Sequence, residues 1–122
     1  MKHEQLASQL LENILKRRIN QVYREQLKHE PREIKVYYFE NTIIVIIDGI
    51  VTKTEKILNQ NSQQFLSSQV RNFLNHLVES HLKNVIEEVM KVTVVDLLFK
   101  AKVDTDRLGT IAIFEIQPSS FV

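Results

Sequence analysis

The sequence predicts an α+β fold. The expected architecture is a two-layer sandwich in the order α-β-β-α-β-β, with a four-stranded, mainly antiparallel sheet and two helices on one of its faces. Three observations predict it. Stretches 3–28 and 63–90 carry apolar residues at helical spacing. Four shorter stretches are rich in β-branched and aromatic residues and alternate like strands. Only two Gly and two Pro punctuate the chain, so elements are long and connections short. The chain reads as one domain, 1–122, built from two weak α-β-β halves, about 3–51 and 62–117. Val36-Tyr37-Tyr38-Phe39-Glu40 and Asp96-Leu97-Leu98-Phe99-Lys100 are their faint echo.

The first helix is read from Leu6, Leu10 and Ile14, flanked by Leu11, Leu15, Ile19 and Tyr23, with Val22 and Leu27 closing the stripe. Pro31 stops it, because a proline ring disfavours helical geometry in the residue before it. Residues 33–39 read as a strand with Ile34, Val36 and Tyr38 on one face and Lys35, Tyr37 and Phe39 on the other. The turn at Glu40-Asn41 is two residues long, and Asn tolerates positive φ, so a tight hairpin is expected.

The next strand is the most informative stretch. Ile43-Ile44-Val45-Ile46-Ile47 is a run of five β-branched apolar residues. Ile43, Val45 and Ile47 point one way, Ile44 and Ile46 the other, so both faces need cover. Asp48-Gly49 ends it. Residues 52–62 read as a polar connection, with Asn61 or Ser62 as N-cap of the second helix. That helix, about 63–90, repeats apolar residues from Leu66 to Val89. Residues 92–102 alternate as a strand, with Thr93, Val95, Leu97 and Phe99 against Val92, Val94, Asp96 and Leu98. A loop at 104–109 leads to a last strand, 110–117. It carries Ile111 and Ile113 on one face and Ala112, Phe114 and Ile116 on the other, and Pro118 ends it.

The bulk numbers exclude several classes of function. Hydrophobic residues make up 43% and charged residues 25%, ordinary for a globular chain. With 16 Lys plus Arg against 15 Asp plus Glu, the net charge of +1 requires no anionic partner. The absence of Cys excludes disulfides, thiolate zinc sites and cysteine nucleophiles. So few glycines leave no phosphate-cradling or dinucleotide loop. The N-terminal stretch lacks the apolar core of a signal peptide, and no apolar run approaches the ~20 residues of a membrane span. A cytoplasmic protein is expected.

Candidate chemistry is sparse. His76 and His81 are about 140° apart on a helix, so they do not form a metal pair. Asp104 and Asp106 share a loop, but a calcium loop needs more oxygen ligands, and turn-stabilising roles suit them better. Lys53 and Glu55, after Thr52, read as a charged pair anchoring the connection. Arg17, Arg18 and Arg24 lie on a basic stripe that could meet phosphate, balanced by Glu12, Glu25 and Glu30. No catalytic residue, cofactor or metal is expected. Apolar side chains on the sheet face away from the helices, Ile44, Ile46 and Phe114, need a partner, and a homodimer supplies one.

With these elements in place, the chain resembles the MpsC-like family of small bacterial proteins. The residues that carry the resemblance are the hairpin from Tyr38 to Ile47, the connection Val51-Thr52-Lys53-Thr54-Glu55, and the closing pair from Val94 to Ile116 with Asp104 and Asp106. It covers about residues 5–117. Family members often have Gly or Ala where this chain has Thr54. The resemblance implies an accessory or regulatory subunit of a membrane cation or inorganic-carbon transport system, peripheral to the inner membrane face. It carries no active site. The expected function is a non-enzymatic, homodimeric interaction module; the alternatives are nucleic-acid binding through the basic first helix, or small-molecule sensing.

Overall fold

A computed structural model describes the backbone of residues 2–116 and the side chains of 8–115. The elements are α1 (Lys2–Val22), β1 (Glu33–Phe39), β2 (Thr42–Asp48), α2 (Lys53–Gln60), α3 (Gln64–Met90), β3 (Val92–Lys102) and β4 (Arg107–Ile116). The fold is mixed α+β, with three helices and a four-stranded antiparallel sheet of order β1-β2-β4-β3. Expectations on Pro118 and on the side chains of Leu6 and Ile116 lie outside the described residues.

The helix count is the first correction. Residues 52–62 are not a polar connection, because α2 occupies most of them. A capping box starts it: the Thr52 hydroxyl accepts from the Glu55 N–H, and the Glu55 carboxylate accepts from the Thr52 N–H at 3.0 Å. Two otherwise orphaned donors are satisfied, which offsets the poor helix propensity of Thr and Asn nearby. Neither Asn61 nor Ser62 caps α3. Ser62 takes a left-handed φ of 58°, and Gln63 is the N-cap.

α1 also ends earlier than its apolar stripe suggests. A π-helical turn, Tyr23–Leu27, follows Val22, and Lys28 turns left-handed to close it. The β1–β2 hairpin turns at residues 40–41 as expected, but Glu40 rather than Asn41 takes the positive φ.

The sheet has a buried face and an open one. Val36, Ile43, Val45, Ile47, Leu108, Ala112 and Phe114 are buried, together with Leu15, Ile19 and Tyr23 of the first helical segment and Val78, Leu82, Val85 and Ile86 of α3. α1 packs on β1, and α3 packs on β3 and α1. A bulge in β3 breaks strict alternation: Val94 pairs with Phe114, but Asp96 pairs with Ile113, leaving Val95 extra. Val92 and Val94 therefore share the buried side with Leu97, Phe99 and Ala101, and not the side of Asp96 and Leu98. The bulge lets two inward-facing sets, out of phase in sequence, face one core.

Candidate functional site

Two features stand out: a polar node at one end of the sheet, and the open sheet face.

The node stitches down the chain between β2 and α2. Gly49 turns the backbone with φ 81°. Its carbonyl accepts from His29 Nε2 at 2.6 Å, and its N–H donates to the Asp106 carbonyl at 2.8 Å. The Val51 N–H donates to Asp106 Oδ1 at 2.7 Å, and Arg32 reaches Oδ2 at 3.0 Å. Burial by itself would raise the Asp106 pKa. The hydrogen bonds from Val51, Arg32 and Ile50 outweigh it and hold the carboxyl below its usual value. Arg107 Nε donates to Asp48 Oδ1 at 2.6 Å and likewise lowers the Asp48 pKa.

Deeper in, Glu55 is fully buried against Arg71. Arg71 Nε and Nη2 fork onto the two carboxylate oxygens at 2.8 and 2.5 Å, and Nη2 also donates to the Ile50 carbonyl at 3.1 Å. Glu55 thus pairs with α3, not with Lys53, which is exposed. Its carboxylate is fully committed: Arg71 on one side, the Thr52 N–H and hydroxyl on the other. Tyr23 is also fully buried, and its hydroxyl has no hydrogen-bond partner among the described residues. Burial raises its phenol pKa, with Arg71 pulling the value down and Glu55 pushing it up. An orphaned buried hydroxyl costs stability, so Tyr23→Phe is expected to stabilise the fold by about 1 kcal/mol. A urea titration measures it; a loss of similar size would show that the hydroxyl has a hidden partner.

The remaining sequence candidates separate. Arg18 is tied to Glu88 of α3 at 2.6 Å. Arg17 and Arg24 line a shallow groove of about 500 Å³ with Lys28 and Glu25, so the basic stripe splits in two. Asp104 is exposed, and it is Asp106 that anchors the node. No group of three or more His, Asp or Glu among the described residues could hold a metal.

Ile44 and Ile46 do lie on the open face, half-buried. Phe114 does not, which corrects its assignment as an uncovered residue. It is 3% exposed and lies on the core side beside Tyr38, at 6.2 Å between ring centroids. The last strand's open-face residues are Ile111 and Ile113. Tyr37 and Phe39 are 51% and 70% exposed on that open face. Sequence reasoning put Tyr23 on the apolar stripe of the first helix without foreseeing its orphaned hydroxyl, and missed Arg71 as the partner of Glu55. For the node the readable signal was Thr52-x-x-Glu55, a capping-box spacing; Arg71 lies 16 residues from Glu55 and carries no local signal.

No curated protein shows a significant match to the chain. The family model described as Na+-translocating membrane potential-generating system (MpsC) matches residues 7–116, which takes in the hairpin, the node and the whole sheet, and by that match the chain belongs to the MpsC family.

Proposed function

We propose that the protein is a non-enzymatic accessory subunit of a Na+-translocating, membrane-potential-generating system, acting as a homodimer at the cytoplasmic face of the membrane. The family match over residues 7–116 carries this reading. No helix of the described residues is long and apolar enough to cross a membrane, and in this reading the ion path belongs to a partner. The polar node supports a structural rather than catalytic use of Glu55 and Asp106, since their carboxylate oxygens hold Arg71, Thr52, Val51 and Arg32. The open apolar face supports a role in association.

The test is affinity purification of the tagged protein from gently solubilised source cells. Recovery of a membrane-spanning transport subunit, absent from a mock-tagged control, is expected. Recovery of the protein without one would overturn the accessory role. A second reading, nucleic-acid binding, draws on the groove between Arg17, Arg24 and Lys28. It requires nuclease-sensitive nucleic acid in the same eluate, with retention falling steeply as salt rises.

A further inference from the structure

The open face of the sheet is ordered in rows by the strand registers. One row reads Phe39, Thr42, Ile113, Asp96 across β1, β2, β4 and β3. The next reads Tyr37, Ile44, Ile111, Leu98, and the third Lys35, Ile46, Gly109, Lys100. Successive rows are about 7 Å apart, two residues along each strand. The middle row is wholly apolar or aromatic, and Tyr37, Ile111 and Leu98 are 51%, 37% and 54% exposed. Contiguous apolar surface of this kind costs free energy in water and marks an interaction site.

The charges nearest the apolar row are polarised along the strands. Beyond the apolar row on one side lie Asp96 and, one row further, Glu115. On the other side lie Lys35 and Lys100, then a mixed row of Glu33, Asp48, Arg107 and Lys102, in which Glu33 reaches Lys35 at 3.7 Å and Asp48 is held by Arg107 at 2.6 Å. Glu33 and Asp48 are balanced within the chain, so the rows flanking the apolar one, with Asp96 on one side and Lys35 and Lys100 on the other, decide which of the two simple face-to-face orientations is complementary.

We propose that the open sheet face pairs with the same face of a second copy of this chain. The two-fold axis lies across the strands along the row Tyr37, Ile44, Ile111, Leu98. This rests on the homodimer reading above and specifies its interface. The operation exchanges the first and third rows. Asp96 then meets the partner's Lys100, and Lys100 the partner's Asp96. Glu115 comes opposite the partner's Arg107, and Phe39 opposite the partner's Lys35, whose aliphatic stem and ammonium both suit an aromatic face. Ile113 comes opposite the partner's Gly109, where nothing lies within 4 Å of an added Cβ and the surface is open. The apolar row packs on its own copy. A two-fold running along the strands would instead set Lys35 against the partner's Lys100 and Phe39 against the partner's Asp96; the charge matches it offers, Glu33 with the partner's Lys102 and Asp48 with the partner's Arg107, fall in the outer row, where Glu33 and Asp48 already have partners in their own chain. Like charges at an interface are penalised and steer against that arrangement. Sheets stack about 10 Å apart with their strands nearly aligned, close enough for Lys side chains to reach across.

Charge exchange tests the pairing. Wild-type protein at micromolar concentration is expected to show a dimer mass by light scattering. Asp96→Lys alone and Lys100→Asp alone should each weaken self-association by about tenfold or more, because each places like charges in contact. An equimolar mixture of the two variants should restore a dimer holding one chain of each, read by native mass spectrometry. Ile44→Lys should break the dimer without rescue by mixing. Circular dichroism spectra matching the wild type would show that these exposed and half-exposed substitutions leave the fold intact. A monomeric wild type would overturn both the homodimer and this interface, and leave the membrane-partner reading to its own purification test. A wild-type dimer undisturbed by Ile44→Lys and by both charge reversals would overturn the interface alone. A dimer broken by Ile44→Lys, with no mixed dimer formed by Asp96→Lys and Lys100→Asp together, would overturn the orientation.

Discussion

Arg71→Met is expected to destabilise the fold by about 3–5 kcal/mol, the usual cost of removing one partner of a buried ion pair. The Arg71 side chain is 8% exposed and that of Glu55 is 0% exposed. Without the guanidinium fork, the carboxylate keeps only the Thr52 N–H and hydroxyl as donors. The Ile50 carbonyl loses its Arg71 donor as well. Arg71→Lys should recover little, since one ammonium cannot reproduce a bidentate fork. Glu55→Gln with Arg71→Met should recover a substantial part, because no uncompensated charge then remains. A double-mutant cycle in urea isolates the coupling. A loss below about 1 kcal/mol for Arg71→Met would show that the pair behaves as a solvated surface bridge.

Gly49→Ala is expected to cost about 3 kcal/mol. Left-handed geometry charges a non-glycine residue about 1–2 kcal/mol, and overpacking adds about 1–3 kcal/mol. The Gly49 φ is 81°, and an added Cβ would sit 2.7 Å from the Arg32 backbone nitrogen and 3.0 Å from its Cβ. That nitrogen is held by its own hydrogen bond to the Asp48 carbonyl at 2.8 Å, so the neighbour cannot easily give way. Gly109→Ala provides the contrast, since its Cβ would meet nothing within 4 Å. Thermal unfolding of the two variants side by side tests this. Equal midpoints would mean that the chain around residue 49 rearranges at little cost.

What could be read in advance follows the range of the forces involved. The five-residue aliphatic run declares itself because strand propensity and two-faced burial are both local to it. The stripe of α3 holds only from Val78 to Ile86; further up, Leu66 and Phe73 are 45% and 58% exposed, and the helix buries Ser67 and Arg71 instead. α2 was hidden because it carries few apolar residues, of which Ile57 is 57% exposed, and because its stability leans on Glu55 reaching Arg71 on another helix. The bulge at Val95 was not legible either. Period-two counting assumes an unbroken ladder, and the extra residue is set by pairing with β4. Phe114 illustrates the limit at a single residue. Its own strand alternates cleanly, yet which side of that alternation meets the helices depends on the register with β2. Of the candidate surface, Ile44 and Ile46 were readable from the run itself. Asp96 and Lys100 acquire meaning only once the registers align them in rows.

The strand order also governs how the chain comes off the ribosome. β2 pairs with β1 at once, through a short hairpin, but its other edge waits for β4, the last strand made. Residues 42–48 and 107–113 must find each other across about half of the chain. Until then the nascent protein carries an aliphatic strand with an unsatisfied edge, the kind of segment that recruits other strands. Closure of the sheet is therefore a late, non-local and slow event.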